Sequence, residues 1–297
     1  MSELAQTTIQ ELTTRLTGWL RRLPPEQDRI LTLAKELDAG FGARTDPVAE
    51  DACREIERSA WRFSRHLELQ FDPTGTDAPD EESKGWDESD PADVRRRAAA
   101  ISQVRRLDDG SCLIQVDGLE PLGPAQSYVD AAFALARHAS GIVLDLRTNG
   151  GGDPATVARI AGLLLGDESM QLSEVRYRDR RRQWWTPDLP TGSAVPADVP
   201  VVVLTSARTF SSAEALAYHL QVRRRVVVVG EATPGAADHV APIRLAPTVL
   251  GLLPEAYVTD AVTGVNWEGR GVQPDVPCRA DAALSVAVRQ LSDRRSG

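Results

Sequence analysis

Three apolar runs of strand length constrain this chain more than anything else in it: GIVLDLR (141–147), VPVVVLTS (199–206) and RVVVVGE (225–231). Their apolar residues are nearly continuous rather than alternating, so a strand built from them needs cover on both faces. Helical patterns separate them: PAQSYVDAAFALARHA (124–139), DPATVARIAGLLLG (153–166) and SSAEALAYHLQ (211–221). The second of these opens with an N-cap aspartate and a proline at the first helical position. SCLIQVDGL (111–119) reads as a further strand. Strand and helix in alternation imply a largely parallel sheet covered by helices, an α/β fold.

The N-terminal stretch is of another kind. Leu12, Leu16, Leu20 and Leu23 recur at helical spacing, as do Ile30, Leu33, Ala34 and Leu37, with Pro24 and Pro25 between the two patterns. A third helix is expected from Pro47 to about Ser64. Residues 1–70 therefore read as a small helical N-terminal domain, 71–98 as an acidic linker or loop rich in Pro, Gly and Ser, and 99–297 as the strand-and-helix core. Helix or strand pieces are expected up to Leu107, a hairpin over 174–187, and a terminal helix in DAALSVAVRQL. No internal repeat of fixed period is visible.

Composition excludes several classes of function. The formal net charge of -9 and pI near 5.1 argue against a phosphate-backbone binder, so no nucleic-acid partner is expected. The basic run RYRDRRRQWW (176–185) reads as a solvated edge strand protected by charge. No apolar stretch reaches membrane-spanning length, and the first residues lack the basic and apolar regions of a signal peptide, so neither membrane nor secretion is expected. The 3 cysteines, Cys53, Cys112 and Cys278, are far apart and form no CxxC. They suggest neither a disulfide framework nor a zinc site, and fit a reduced, cytoplasmic location.

Two strand-to-helix turns carry the chemistry. In DLRTNGGGD (145–153), successive glycines leave backbone N–H groups open to a ligand, and a helix N-terminus follows. The turn could serve an oxyanion, a phosphate or only its own tight bend; neither a P-loop nor a GxGxxG pattern accompanies it. Asp145 and Arg147 beside it read as a structural pair. In RTFSSAEALAYHL (208–220), Ser211 begins a helix pattern at the end of an apolar strand. A serine there is a helix cap in the plainest reading. As a nucleophile it would have an oxyanion donor built in, the N–H of Ser212, with Gly150 or Gly151 able to supply the second. A serine nucleophile needs a base. Of the histidines, His138 and His219 read as surface or helix-end residues, while His66 and His239 lie outside the helical patterns. Asp275 reads as a turn residue. The chemistry of the residues does not choose among these histidines.

GIVLDLRTNGGG, VVVLTSARTFSSAEALA, VVVVGEATPGAA and NWEGRGVQPDV follow one another in an order that resembles the tail-specific (C-terminal processing) serine proteases of the S41 type, over roughly residues 100–290. The resemblance implies a crotonase- and ClpP-like β/α core without a PDZ domain. It implies that Ser211, in TFSSAE, is the nucleophile, with Glu214 at the family's acidic position. The well-studied branch takes a lysine as base just after GExTxG; Ala236 stands at that place here, which excludes a Ser-Lys dyad on residue type. The sequence is closer to the tricorn-core and interphotoreceptor retinoid-binding-protein-like branch. That likeness implies a histidine from before the core, His66 in SRHLELQFD, and a glutamate from EGRGVQPD, Glu268.

The expected function is a serine peptidase acting through Ser211, His66 and Glu268 on a peptide or protein, with Ser212, Gly150 and Gly151 around the oxyanion. No metal or organic cofactor is called for, and assembly as a homo-oligomer stays open. The alternatives are a non-catalytic module binding an apolar ligand or peptide, and an esterase or thioesterase on the same core.

Overall fold

The computed structural model describes residues 7–25, 27–75 and 89–295. Of the acidic segment expected at 71–98 as linker or loop, residues 76–88 lie outside them, and Pro91–Arg96 forms a helix. The chain forms two compact units, one made of residues 1–88, 175–182 and 238–258, the other of 89–174, 183–237 and 259–297.

The first unit opens with helices α1 (Ile9–Arg22), α2 (Asp28–Phe41) and α3 (Glu50–Ala60). Thr8 starts α1 in a capping box: its hydroxyl accepts the Glu11 N–H at 3.2 Å, and its own N–H donates to the Glu11 carboxylate at 2.8 Å. Leu12, Leu16 and Leu20 are buried and Leu23 partly so, but they do not make a core by themselves. Leu12, Leu16, Leu33, Leu37 and Ile56 pack with Ile243, Leu245, Val249 and Leu253. Those come from β9 (His239–Ala246) and β10 (Val249–Asp260), an antiparallel pair far along the chain. Strand β1 (Glu68–Phe71) pairs antiparallel with β10, Glu68 opposite Leu252. The helical domain expected over 1–70 is thus a helix-and-sheet unit: amphipathic helices have one apolar face to cover, and here a sheet covers it. Gly40 is exposed near the end of α2, and an added Cβ there meets nothing within 4 Å. Gly40→Ala is expected to raise stability by about 0.5–1 kcal/mol, read from urea unfolding, because alanine removes backbone freedom from the unfolded chain.

The second unit contains α4 (Pro91–Arg96), β2 (Ile101–Arg106), β3 (Cys112–Val116), α5 (Leu122–Ala136), β4 (Ile142–Asp145) and α6 (Pro154–Leu165). It continues with β7 (Val201–Thr205), α7 (Ser212–Val222), β8 (Val227–Gly230), β11 (Val276–Pro277) and α8 (Ala283–Arg295). Strands β5 (Gln171–Arg176) and β6 (Arg181–Trp185) follow β10 in the order β1-β10-β5-β6, and β6 is an edge strand. The 6-stranded sheet runs β11-β8-β7-β4-β3-β2. All its pairings are parallel except that of β2 with β3.

Alternation along each strand explains the unbroken apolar runs. Ile114, Ile142, Leu144, Val201, Val203 and Val228 face one core with Phe133, Ile160 and Leu216 from α5, α6 and α7. The residues between them, Leu113, Val143, Val202, Leu204, Val227 and Val229, face another with Ala283, Ala287 and Leu291 of α8. Both faces are covered, as the runs require. The helix from 153 begins as expected: Asp153 caps it by accepting the Ala155 N–H at 2.9 Å, with Pro154 in the first turn. This layering brings the ends of β4 and β7, and the turns that follow them, to one edge of the sheet.

Candidate active site

The turn after β4 and the turn after β7 are laced together. The Thr209 hydroxyl donates to the Leu146 carbonyl at 2.8 Å, the Ser206 hydroxyl to the Arg147 carbonyl at 2.6 Å, and the Phe210 N–H to the Asn149 carbonyl at 3.0 Å. Arg147 holds Asp145 through Nε at 2.9 Å and a second nitrogen at 2.6 Å, the structural pair expected from the sequence. Asp275 accepts the Val228 N–H at 2.8 Å. The approach is tightest at Gly151. A Cβ there would lie 2.9 Å from Ser211 Cβ and 3.1 Å from the Ser212 nitrogen, and its φ of +107° suits no other residue. The Ser212 hydroxyl donates to the Gly152 carbonyl at 2.7 Å, closing the turn on the helix start.

Ser211 is the N-cap residue of α7, but its backbone is not that of an ordinary cap. A residue that only caps a helix sits in the β region. Ser211 has φ 53° and ψ -121°, left-handed for a residue with a side chain. Such a conformation costs on the order of 1–3 kcal/mol and persists only where the surroundings impose it. It is the form of a sharp strand-to-helix elbow that lifts a side chain away from the turn. Among the described residues, none accepts the N–H of Ser212 or of Gly150. The N–H of Gly151 differs from that expectation: it donates to Asn149 Oδ1 at 2.9 Å.

What imposes the elbow is Glu214, which is fully buried. Its carboxylate accepts the Ser211 N–H at 2.9 Å, the Gly235 N–H at 2.7 Å, the Ala236 N–H at 2.9 Å and the Thr233 hydroxyl. Burial pushes its carboxyl up from the ordinary range, against the pull of these hydrogen bonds. One side chain thus ties the serine to the 233–236 loop. That loop is bound in turn to the 268–272 segment. Gly269 N–H donates to the Gly235 carbonyl at 2.8 Å, Val272 N–H to the Thr233 hydroxyl at 2.8 Å, and Ala237 N–H to Glu268 Oε2 at 2.7 Å. At Gly235, φ +94°, a Cβ would sit 2.7 Å from the Gly271 nitrogen. The four motifs read from the sequence therefore converge in the second unit, in the order glycine turn, Ser211, 233–236 loop, Glu268.

The chain's lysines are Lys35, exposed on α2, and Lys84, which lies outside the described residues. The place after GEATPG is taken by Ala236, which is buried. Of the histidines, His66 belongs to the first unit and is 8% exposed. Its Nδ1 lies 2.5 Å from the Asp238 carbonyl oxygen, which can only accept, so Nδ1 is the donor of this bond. Asp238 is fixed by Arg29 at 2.7 Å. His138 is exposed, as expected. His219 is not a surface residue: it is buried, with Nδ1 2.7 Å from Asp260, which Arg223 holds from 2.9 Å. Burial opposes charge on Asp260, but the bonds from His219 and Arg223 outweigh it and hold its carboxyl well below the usual range. Its helix position put His219 late on α7 but carried no sign of a carboxylate some forty residues further on.

His239 supplies a pH-dependent element of stability. Burial first, then the nearby His66 and Arg182, lower its pKa from 6.5 to about 4. The unfolded chain then binds this proton more readily than the folded one, so stability is present above pH 6.5 and is lost as pH falls toward 4. Between pH 7.5 and 5 the loss from this residue is expected to be about 2 kcal/mol. His239→Gln should flatten the difference between urea midpoints at the two pH values.

A parallel β/α core with a strained serine on a helix N-terminus at one sheet edge is an arrangement that serine hydrolases of the acyl-transfer class use. The model for peptidase family S41 matches residues 111–278, more than half of the chain, and the chain belongs to that family of serine peptidases. Solved structures share the fold. A peptidase candidate from Parabacteroides merdae superposes with a TM-score of 0.64 at 15% identity, over 96% of this chain and 97% of that one. A lipoprotein from Streptococcus agalactiae does so with a TM-score of 0.58 at 15% identity, over 99% of each chain. For a candidate S41 protease from Bacteroides fragilis the values are 0.52 and 19%, over 65% of this chain and 58% of that one.

Proposed function

We propose that this protein hydrolyses a peptide bond through an acyl-enzyme on Ser211, with His66 as general base and Glu268 as the carboxylate that balances the imidazolium. The observation that carries the reading is the backbone of Ser211, φ 53° and ψ -121°, held by Glu214 against Gly151. With Nδ1 donating to the Asp238 carbonyl, Nε2 is the ring nitrogen proposed to act as base. In the proposed step it takes the Ser211 proton while Oγ attacks the carbonyl carbon. The N–H of Ser212 and the N–H of Gly150 receive the oxyanion; that of Gly151 joins them only on leaving Asn149. Collapse expels the amine, which takes the proton from the imidazolium, and water releases the acid by the reverse sequence. The proposed peptidase belongs to the branch in which Ala236 replaces the lysine.

Fluorophosphonate labelling, with mass spectrometry to locate the adduct, tests this. Wild type is expected to be labelled at Ser211, and Ser211→Ala and His66→Ala are expected not to be. Labelling that survives His66→Ala at the wild-type rate removes His66 as the base. No labelling of wild type, under conditions that label a control hydrolase, removes the peptidase reading.

A further inference from the structure

We propose that Asn149 is a positioning residue for acyl transfer, the side chain that holds the glycine turn at its working distance from Ser211. This rests on the reading of Ser211 as nucleophile. Asn149 is fully buried, and every polar group it has is engaged. Its Nδ2 donates to the Val116 carbonyl at the end of β3, at 3.0 Å. Its Oδ1 accepts the Gly151 N–H at 2.9 Å. Its own carbonyl accepts the N–H of Phe210, the residue before the serine, at 3.0 Å, and its N–H donates to the Leu146 carbonyl at 3.1 Å. One residue thus joins the end of a core strand, the glycine turn and the elbow.

The residue type follows from these bonds. A side chain at this place must donate in one direction and accept in another within the reach of a single Cβ–Cγ bond, and a primary amide does both. An ionised aspartate keeps the acceptor but turns a second oxygen on the Val116 carbonyl. A leucine fills the volume and makes neither bond. The turn has no slack to absorb the change, because Gly151 already sits against Ser211 Cβ and the Ser212 nitrogen. A shift of the turn therefore alters the space between the Ser212 N–H and the glycine N–H groups, where the oxyanion of the proposed step forms.

The test uses the full chain and the variants Asn149→Leu and Asn149→Asp. With an activated ester, kcat is expected to fall by about 10- to 100-fold, as for a displaced reacting geometry, with KM unchanged. Affinity for a peptide aldehyde, whose hemiacetal oxygen occupies the same place, is expected to fall by the same factor. The preference for the ester over its thionoester, which depends on donors aimed at oxygen, is expected to shrink. A role in stability alone would lower Tm and leave the ester-to-thionoester ratio and the aldehyde affinity per folded molecule at wild-type values; that result overturns the proposal. If wild type proves unreactive toward fluorophosphonate, the peptidase reading fails and the positioning claim is read from amide exchange. In Asn149→Leu the Gly151 amide is expected to exchange at least about 10-fold faster while the amides of α7 keep their protection. Unchanged exchange at Gly151 overturns the claim independently of any activity.

Discussion

Gly151→Ala is expected to abolish labelling of Ser211, slowing it by at least about two orders of magnitude. The added methyl would lie 2.9 Å from Ser211 Cβ, 3.0 Å from the Phe210 carbonyl and 3.1 Å from the Ser212 nitrogen, closer than carbon contacts allow. Two of these neighbours are backbone atoms, so the chain must move rather than a side chain rotate. The φ of +107° adds strain for any residue with a Cβ. Relief comes from parting the glycine turn and the elbow. A displacement near 1 Å is enough to cost about 100-fold in a positioned reaction. The labelling rate measured against Gly123→Ala is the check, since an added Cβ at Gly123 meets nothing within 4 Å. A rate for Gly151→Ala within threefold of wild type would mean that the turn and the serine do not act together.

Glu214→Ala is expected to be the most destabilising single change at the site, by roughly 3–5 kcal/mol. The carboxylate is fully buried and receives hydrogen bonds from Ser211, Thr233, Gly235 and Ala236. Removing it leaves those donors without their acceptor, and an unsatisfied buried donor costs about 1–3 kcal/mol. Water entering the vacated space recovers part of that, which sets the range. For a chain of this size, Tm should fall by roughly 10 °C or more. The left-handed Ser211 loses the contact that holds its N–H, so labelling should fall as well. Glu214→Gln should be milder in stability, since its oxygen still accepts, while its amide nitrogen faces N–H groups and repels them. Equal stability of Glu214→Ala and wild type in thermal unfolding would show that the four donors find other partners.

The strands and helices of the second unit were legible because their signals are local. Unbroken runs such as VVVLT and VVVVG demand cover on both faces, and the cores on the two sides of the sheet supply it. Asp153 and Pro154 mark a helix start by chemistry that acts within three residues. Glu214 was visible as an acid three residues past the serine, yet nothing in its spacing tells that it reaches Gly235 and Ala236. The sequence also left Gly150 and Gly151 equivalent; the Asn149 side chain distinguishes them by taking one N–H. His219 read as a helix-end residue because its partner Asp260 lies on a distant strand.

Alone, the sequence determined the strands and helices of the parallel core, the α/β class, and the serine that stands at the head of α7, since each depends on residues within a few positions of one another. Only the tertiary structure decided that the N-terminal helices share their core with β9 and β10, that Ser211 adopts a left-handed backbone, that Glu214 holds its N–H, and that Asn149 bonds both Gly151 and Phe210. Those features come from hydrogen bonds and packing between residues distant in the chain, and no local periodicity records which buried donor meets which buried acceptor.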